Sequence, residues 1–158
     1  MRRAPDRAVP RLPLLHFAGS LRVLAMTTAS MRLAEVADGI ACFRVVGTCR
    51  LPLAVGFVTS ALEQAIQGQH SGCLIDASEL DGFGSPSVAT RHQVVRAWAE
   101  RARGLVAVAL VLRSAVIDPE KIGVIAGRNH GLQCDVFDDV DEARAWLRGV
   151  LSPDAYRR

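Results

Sequence analysis

Residues 73–112, CLIDASELDGFGSPSVATRHQVVRAWAERARGLVAVALVL, decide the fold. Leu105–Leu112 is an uninterrupted apolar run, the pattern of an interior strand covered on both faces. Cys73–Ala77 reads as a second short buried strand, ending in the loop SELDGFG. Between them, Ser85 places a capping hydroxyl before Pro86 at the first helical position, and Gly104 follows the end. Val88, Val94, Val95, Trp98 and Ala102 give this helix one apolar face. Two buried strands joined by a helix pair in parallel through a right-handed crossover.

The same alternation extends in both directions. Upstream, Leu53, Phe57, Val58, Ala61, Leu62, Ala65 and Ile66 recur at helical spacing between Pro52 and Gly68. Before that helix, Arg32–Ala37 and Ile40–Gly47 flank Asp38-Gly39, a two-residue turn that favours a hairpin. Downstream, Asp118-Pro119-Glu120 repeats the cap-then-proline start of a helix that Gly131 can stop, and Gln133–Phe137 reads as a strand. Asp139 with Glu142 three residues on forms a capping-box start for a last helix whose inner face is Ala143, Trp146, Leu147 and Val150. The expected fold is α/β: a mixed four- to five-stranded sheet with an opening β-hairpin, then alternating helices and strands. The domain is expected over 31–151, with a tail at 152–158.

Residues 1–30 stand apart. They hold Arg2, Arg3, Arg7, Arg11 and Arg22 against Asp6 alone, more than the chain's whole net charge of +3, which leaves the rest slightly acidic. Their apolar stretch is broken by Pro13, His16 and Arg22, too interrupted for a membrane span or a well-formed signal peptide. They are read as an extension, disordered or preceding a true start at Met26 or Met31. A near-neutral domain lacks the basic footprint that nucleic-acid binding requires.

No phosphate-binding loop, nucleophile elbow or metalloprotease motif is present. Cys42, Cys49, Cys73 and Cys134 show no metal-finger spacing. Cys42, Cys73 and Cys134 fall within apolar runs, as buried thiols do in a reducing cytoplasm, whereas Cys49 lies at a loop mouth. No metal or cofactor is expected, and no enzymatic activity. The one distinctive stretch is Asp81-Gly82-Phe83-Gly84-Ser85-Pro86-Ser87, a strand-to-helix junction. It can either offer backbone N–H groups to an anion or simply let Gly82 and Gly84 take positive φ before a capped helix; turn chemistry favours the second.

The element order, with Leu74-Ile75-Asp76-Ala77-Ser78 and the ending Val136-Phe137, Glu142-Ala143 and Trp146-Leu147, resembles the STAS/SpoIIAA-like superfamily, in its STAS/SEC14 domain-containing branch. Anti-sigma-factor antagonists of that superfamily carry a strand motif, LDLSGVxFIDSSG, with a serine that a partner kinase phosphorylates. The matching stretch is LIDASELDGFGSPS, residues 74–87. Asp76 and Ser78 match, Gly84 stands for the second aspartate, Ser85 matches the first serine of the pair, and Pro86 replaces the usual phosphoacceptor. The resemblance implies a non-enzymatic cytoplasmic regulatory module that binds another protein, a serine kinase or anti-sigma-type regulator. Ser85 is then the candidate phosphoacceptor, and Asp81, Gly82, Phe83, Gly84 and Ser87 form the candidate partner-binding loop. The alternative that the resemblance allows is a binder of a small apolar ligand or lipid, of SEC14 type.

Overall fold

The computed structural model describes residues 28–153. The expectations for residues 1–27, including a start at Met26, and for 154–158 lie outside the described residues. Strand β1 (Ser30–Ala37) and β2 (Ile40–Thr48) form the opening antiparallel hairpin. Asp38 (φ 54°) and Gly39 (φ 73°) make its turn, the pair of left-handed residues that matches strand twist in a two-residue loop.

Helix α1 (Leu51–Gln67) then leads to β3 (Gly72–Asp81), α2 (Val88–Ala102), β4 (Ala107–Val111), a short 3-10 turn at Ser114–Val116, α3 (Ile122–Asn129), β5 (Cys134–Phe137) and α4 (Val140–Leu151). The five strands lie in the order β1-β2-β3-β4-β5, and all pairs after the hairpin are parallel. Because spatial order follows chain order, right-handed crossovers must deliver α1, α2 and α3 to one face. Their inner residues Val58, Leu62, Ala99 and Val124 pack on Phe43, Ile75 and Val108. The last helix follows the final strand and covers the other face, where Ala143 and Leu147 meet Ile40, Leu74 and Ala109. Alternate residues of β2, β3 and β4 thus enter two separate cores. Arg144–Glu35 (3.0 Å) and Arg148–Asp38 (3.3 Å) pair α4 with the hairpin.

Three boundaries differ from the sequence expectations. The strand expected to end at Ala77 runs on to Asp81, because β2 remains available as a partner: Val46, Gly47 and Thr48 pair with Glu79, Leu80 and Asp81. One extra β3 residue is absorbed between Asp76 and Glu79, where the Asp76 carboxylate accepts bonds from Ser78 N (3.1 Å) and Ser78 Oγ (2.6 Å). The apolar run at 105–112 yields a strand only over Ala107–Val111, and Leu105 stays exposed after the left-handed turn at Arg103-Gly104. The Asp118-Pro119-Glu120 segment forms a turn before α3 rather than its first residues. Asp118 accepts from the backbone N–H groups of Glu120 (3.1 Å) and Ile122 (3.0 Å), and Lys121 holds the cap position at φ 50°.

All four cysteines are free thiols, none more than 8% exposed, Cys49 included. Burial raises every one of them, Cys73 to about 12 and Cys134 to about 11. Iodoacetamide at pH 8 is therefore expected to leave the native protein unmodified and to label four sites after denaturation, read by intact mass; rapid labelling of Cys49 in the native state would contradict this packing.

Candidate functional site: the loop after the central strand

Strand β3 pairs with β4 only from Gly72 to Asp76, so its second half projects along β2 past the carboxyl edge of β4. The loop from Asp81 to Ser87 starts from this overhang. It is pinned to the β2–α1 connection: Cys49 N donates to Asp81 O (2.9 Å), and Gly82, at φ +96°, lies so close that a Cβ would stand 2.6 Å from Cys49 O. Gly84 differs from the expectation that both glycines serve positive φ. Its φ is ordinary and open space surrounds it. Phe83 turns inward and packs, half-buried, on the larger core.

The helix start is also displaced. Ser87 caps α2, its Oγ accepting from Thr90 N (3.2 Å), and the first helical residue is Val88. Ser85 and Pro86 thus precede the cap, in place of the expected cap and first turn. Of the two serines flanking the proline, only Ser87 lies three residues before a backbone N–H that its side chain reaches. Ser85 is exposed, and its hydroxyl is engaged by Arg91 Nη2 and sits 3.4 Å from Val116 O. Arg91 Nε donates to Pro86 O (3.0 Å). Among the described residues Arg91 has no carboxylate partner.

Arg113 pairs at the carboxyl edge, and a second group of charges lies beside β5. Arg113 Nη2 meets Asp81 Oδ1 at 3.0 Å, while its Nε is buried without a partner among the described residues. Lys121 (2.7 Å) and Arg128 (3.0 Å) both pair with Asp135, whose side chain is 15% exposed. Burial pushes that carboxyl up, but the bonds from Lys121 and Val136 N, with the charges of Lys121 and Arg128, outweigh it and hold the group below the usual carboxylate range. No group of three or more His, Cys, Asp or Glu is disposed for a metal ion among the described residues.

Beneath this edge lies an apolar cavity of about 150 Å³ between the sheet and the N-terminal half of α2. Helix α1 is buried along its length from Ala54 to Ala65, whereas α2 is buried only at Ala99 and Ala102. Small residues at the C-terminal end bring α2 to the sheet; its other half stands away.

The sequence reading missed Arg91, Arg113 and Lys121; an apolar pocket between sheet and helices entered it only through the SEC14-type alternative. The signal for Arg91 is its spacing: it lies four residues before Val95 and seven before Trp98, on the inner stripe of α2. Arg113 and Lys121 lie in connections whose course only tertiary contacts fix.

A mixed five-stranded sheet, an opening antiparallel hairpin and helices alternating with the strands give the chain the fold of a solved anti-sigma factor antagonist. A solved structure carries the likeness, and a second is more distant. An anti-sigma factor antagonist from Mycobacterium paratuberculosis superposes with a TM-score of 0.51 and 16% identity, over 77% of this chain and 95% of that one. The anti-sigma factor antagonist SpoIIAA, in its unphosphorylated form, gives a TM-score of 0.45 and 15% identity, over 78% of this chain and all of that one. At such identities the shared property is the fold, and neither name points to SEC14-type proteins. No family model and no curated protein matches the chain. No helix among the described residues is long and apolar enough to cross a membrane.

Two pairs of substitutions separate residues that look alike in the sequence. Ser87→Ala is expected to lower stability by about 1 kcal/mol in urea unfolding, and Ser85→Ala to leave it within about 0.5 kcal/mol, since only Ser87 caps the helix. Gly82→Ala is expected to cost about 2 kcal/mol through positive φ and the Cys49 carbonyl, and Gly84→Ala almost nothing. Equal effects within either pair would show that the junction is built differently.

Proposed function

We propose that the protein is a non-enzymatic regulatory module that binds another protein through the loop Asp81–Ser87 and is switched by phosphorylation of Ser85. The partner class is a serine kinase or anti-sigma-type regulator, in keeping with the fold. The observation that carries this reading is the Ser85–Arg91 contact. The Ser85 hydroxyl is exposed and free of capping, and a guanidinium without a carboxylate partner among the described residues already touches it. A phosphate there adds close to two negative charges and several acceptor oxygens, which Arg91 can take in a charge-assisted bond. Because Pro86 occupies the position of the usual phosphoacceptor, Ser85 is the one hydroxyl of the motif's serine pair that stays in register.

The test uses the full chain as bait in a lysate of its own organism, with phosphopeptide mapping of the endogenous protein. Phosphate at Ser85, and a protein partner retained by Ser85→Ala but lost with Ser85→Glu, is the expected result. An unmodified Ser85, or a partner indifferent to Ser85→Glu, overturns the switch.

A second reading, a binder of small apolar molecules, has its own support in the cavity beneath α2. Apolar cavities of about this size stay free of water and take up benzene-sized molecules.

A further inference from the structure

We infer that the cavity beneath α2 binds a small monocarboxylate, with a hydrocarbon body of roughly six to eight carbons inside it and the carboxylate on Arg91. This rests on the second reading above and adds to it the head group and the residue that recognises it.

The walls are largely apolar, among them Val45 from β2, Val58 from α1, Leu80 from β3, Val108 and Leu110 from β4, and Trp98 from α2. The single polar atom of Trp98 is satisfied, since its Nε1 donates to Thr59 Oγ1 at 3.0 Å. The indole thereby ties α2 to α1 and leaves its ring as a wall. Nothing within these walls offers a hydrogen bond to a polar ligand body, so shape and area alone retain it there.

The charged side chains of the lining are Arg91, Asp118, Lys121 and Asp135. Three of these are already committed. Lys121 and Asp135 pair at 2.7 Å, and the two Asp118 oxygens accept backbone N–H groups of Glu120 and Ile122. Arg91 alone among them is a cation whose partners, the Ser85 hydroxyl and the Pro86 carbonyl, are neutral. A guanidinium presents a planar fork of donors that suits a carboxylate. One guanidinium with neutral partners matches one negative charge on the head group. The site therefore selects one negative charge on a short apolar chain.

Calorimetric titration of the full chain with sodium octanoate, beside 1-octanol as the uncharged match, tests this. Octanoate is expected to bind once per chain, saturably and at least tenfold more tightly than 1-octanol. Arg91→Gln should remove that preference without changing 1-octanol binding, and Val95→Trp, which fills the cavity from α2, should abolish both. Leu110→Phe replaces Val95→Trp if circular dichroism shows that the latter does not fold. Equal binding of the two probes, or octanoate binding indifferent to Arg91→Gln, overturns the carboxylate assignment and leaves the apolar-ligand reading standing. Binding of neither probe, or binding that survives filling of the cavity, overturns both.

Discussion

The molecule depends on one strand being longer than one of its neighbours. Strand β3 is clasped between β2 and β4 for its first five residues and then continues on β2 alone to Asp81. The clasped half is nearly all buried and divides its side chains between the two cores, Ile75 on the three-helix side and Leu74 on the α4 side. The overhanging half has no second neighbour, yet it stays extended because β2 satisfies one edge of its backbone and Leu80 remains 3% exposed. Everything distinctive about the carboxyl edge is carried by that overhang.

Its end fixes where the chain can go next. Gly82 turns against the Cys49 carbonyl, Phe83 drops onto the core, and the chain must then climb to Ser87 before a helix can start. Helix α2 consequently leaves the loop at a distance from the sheet and reaches it only near Ala99 and Ala102. The loop, the stand-off of α2 and the cavity are one construction. Arg91 sits where the three meet, which is why the same guanidinium enters both functional readings. A phosphate on Ser85 and a carboxylate at the rim would compete for it.

Much of this was legible in the residues. The hairpin followed from Asp38-Gly39, the buried strands from apolar runs, and the last helix from Asp139, whose carboxylate does accept from Asp141 N and Glu142 N. What was not legible has a common physical cause. Ser78, Glu79 and Asp81 carry poor strand propensity, and a neighbouring strand overrode it. Ser85 and Ser87 present equal capping chemistry around Pro86, and only tertiary packing chooses between them. A cavity is a deficit of contacts between elements far apart in sequence, so no local pattern encodes it. Arg91 was the partial exception, an arginine placed on an apolar stripe.

The coincidence of strand order with chain order bears on how the sheet assembles. Each parallel strand pairs with the one synthesised just before it: Gly72 meets Ile40, Ala107 meets Gly72, and Cys134 meets Val108. No strand has to wait for a partner encoded much later, and none is inserted between two already formed. The sheet can grow from a single advancing edge as the chain emerges from the ribosome. Each crossover helix arrives with the strand that it covers, so the three-helix face is buried as it is made, whereas the face of Ile40, Leu74 and Ala109 stays open until α4, the last element, arrives.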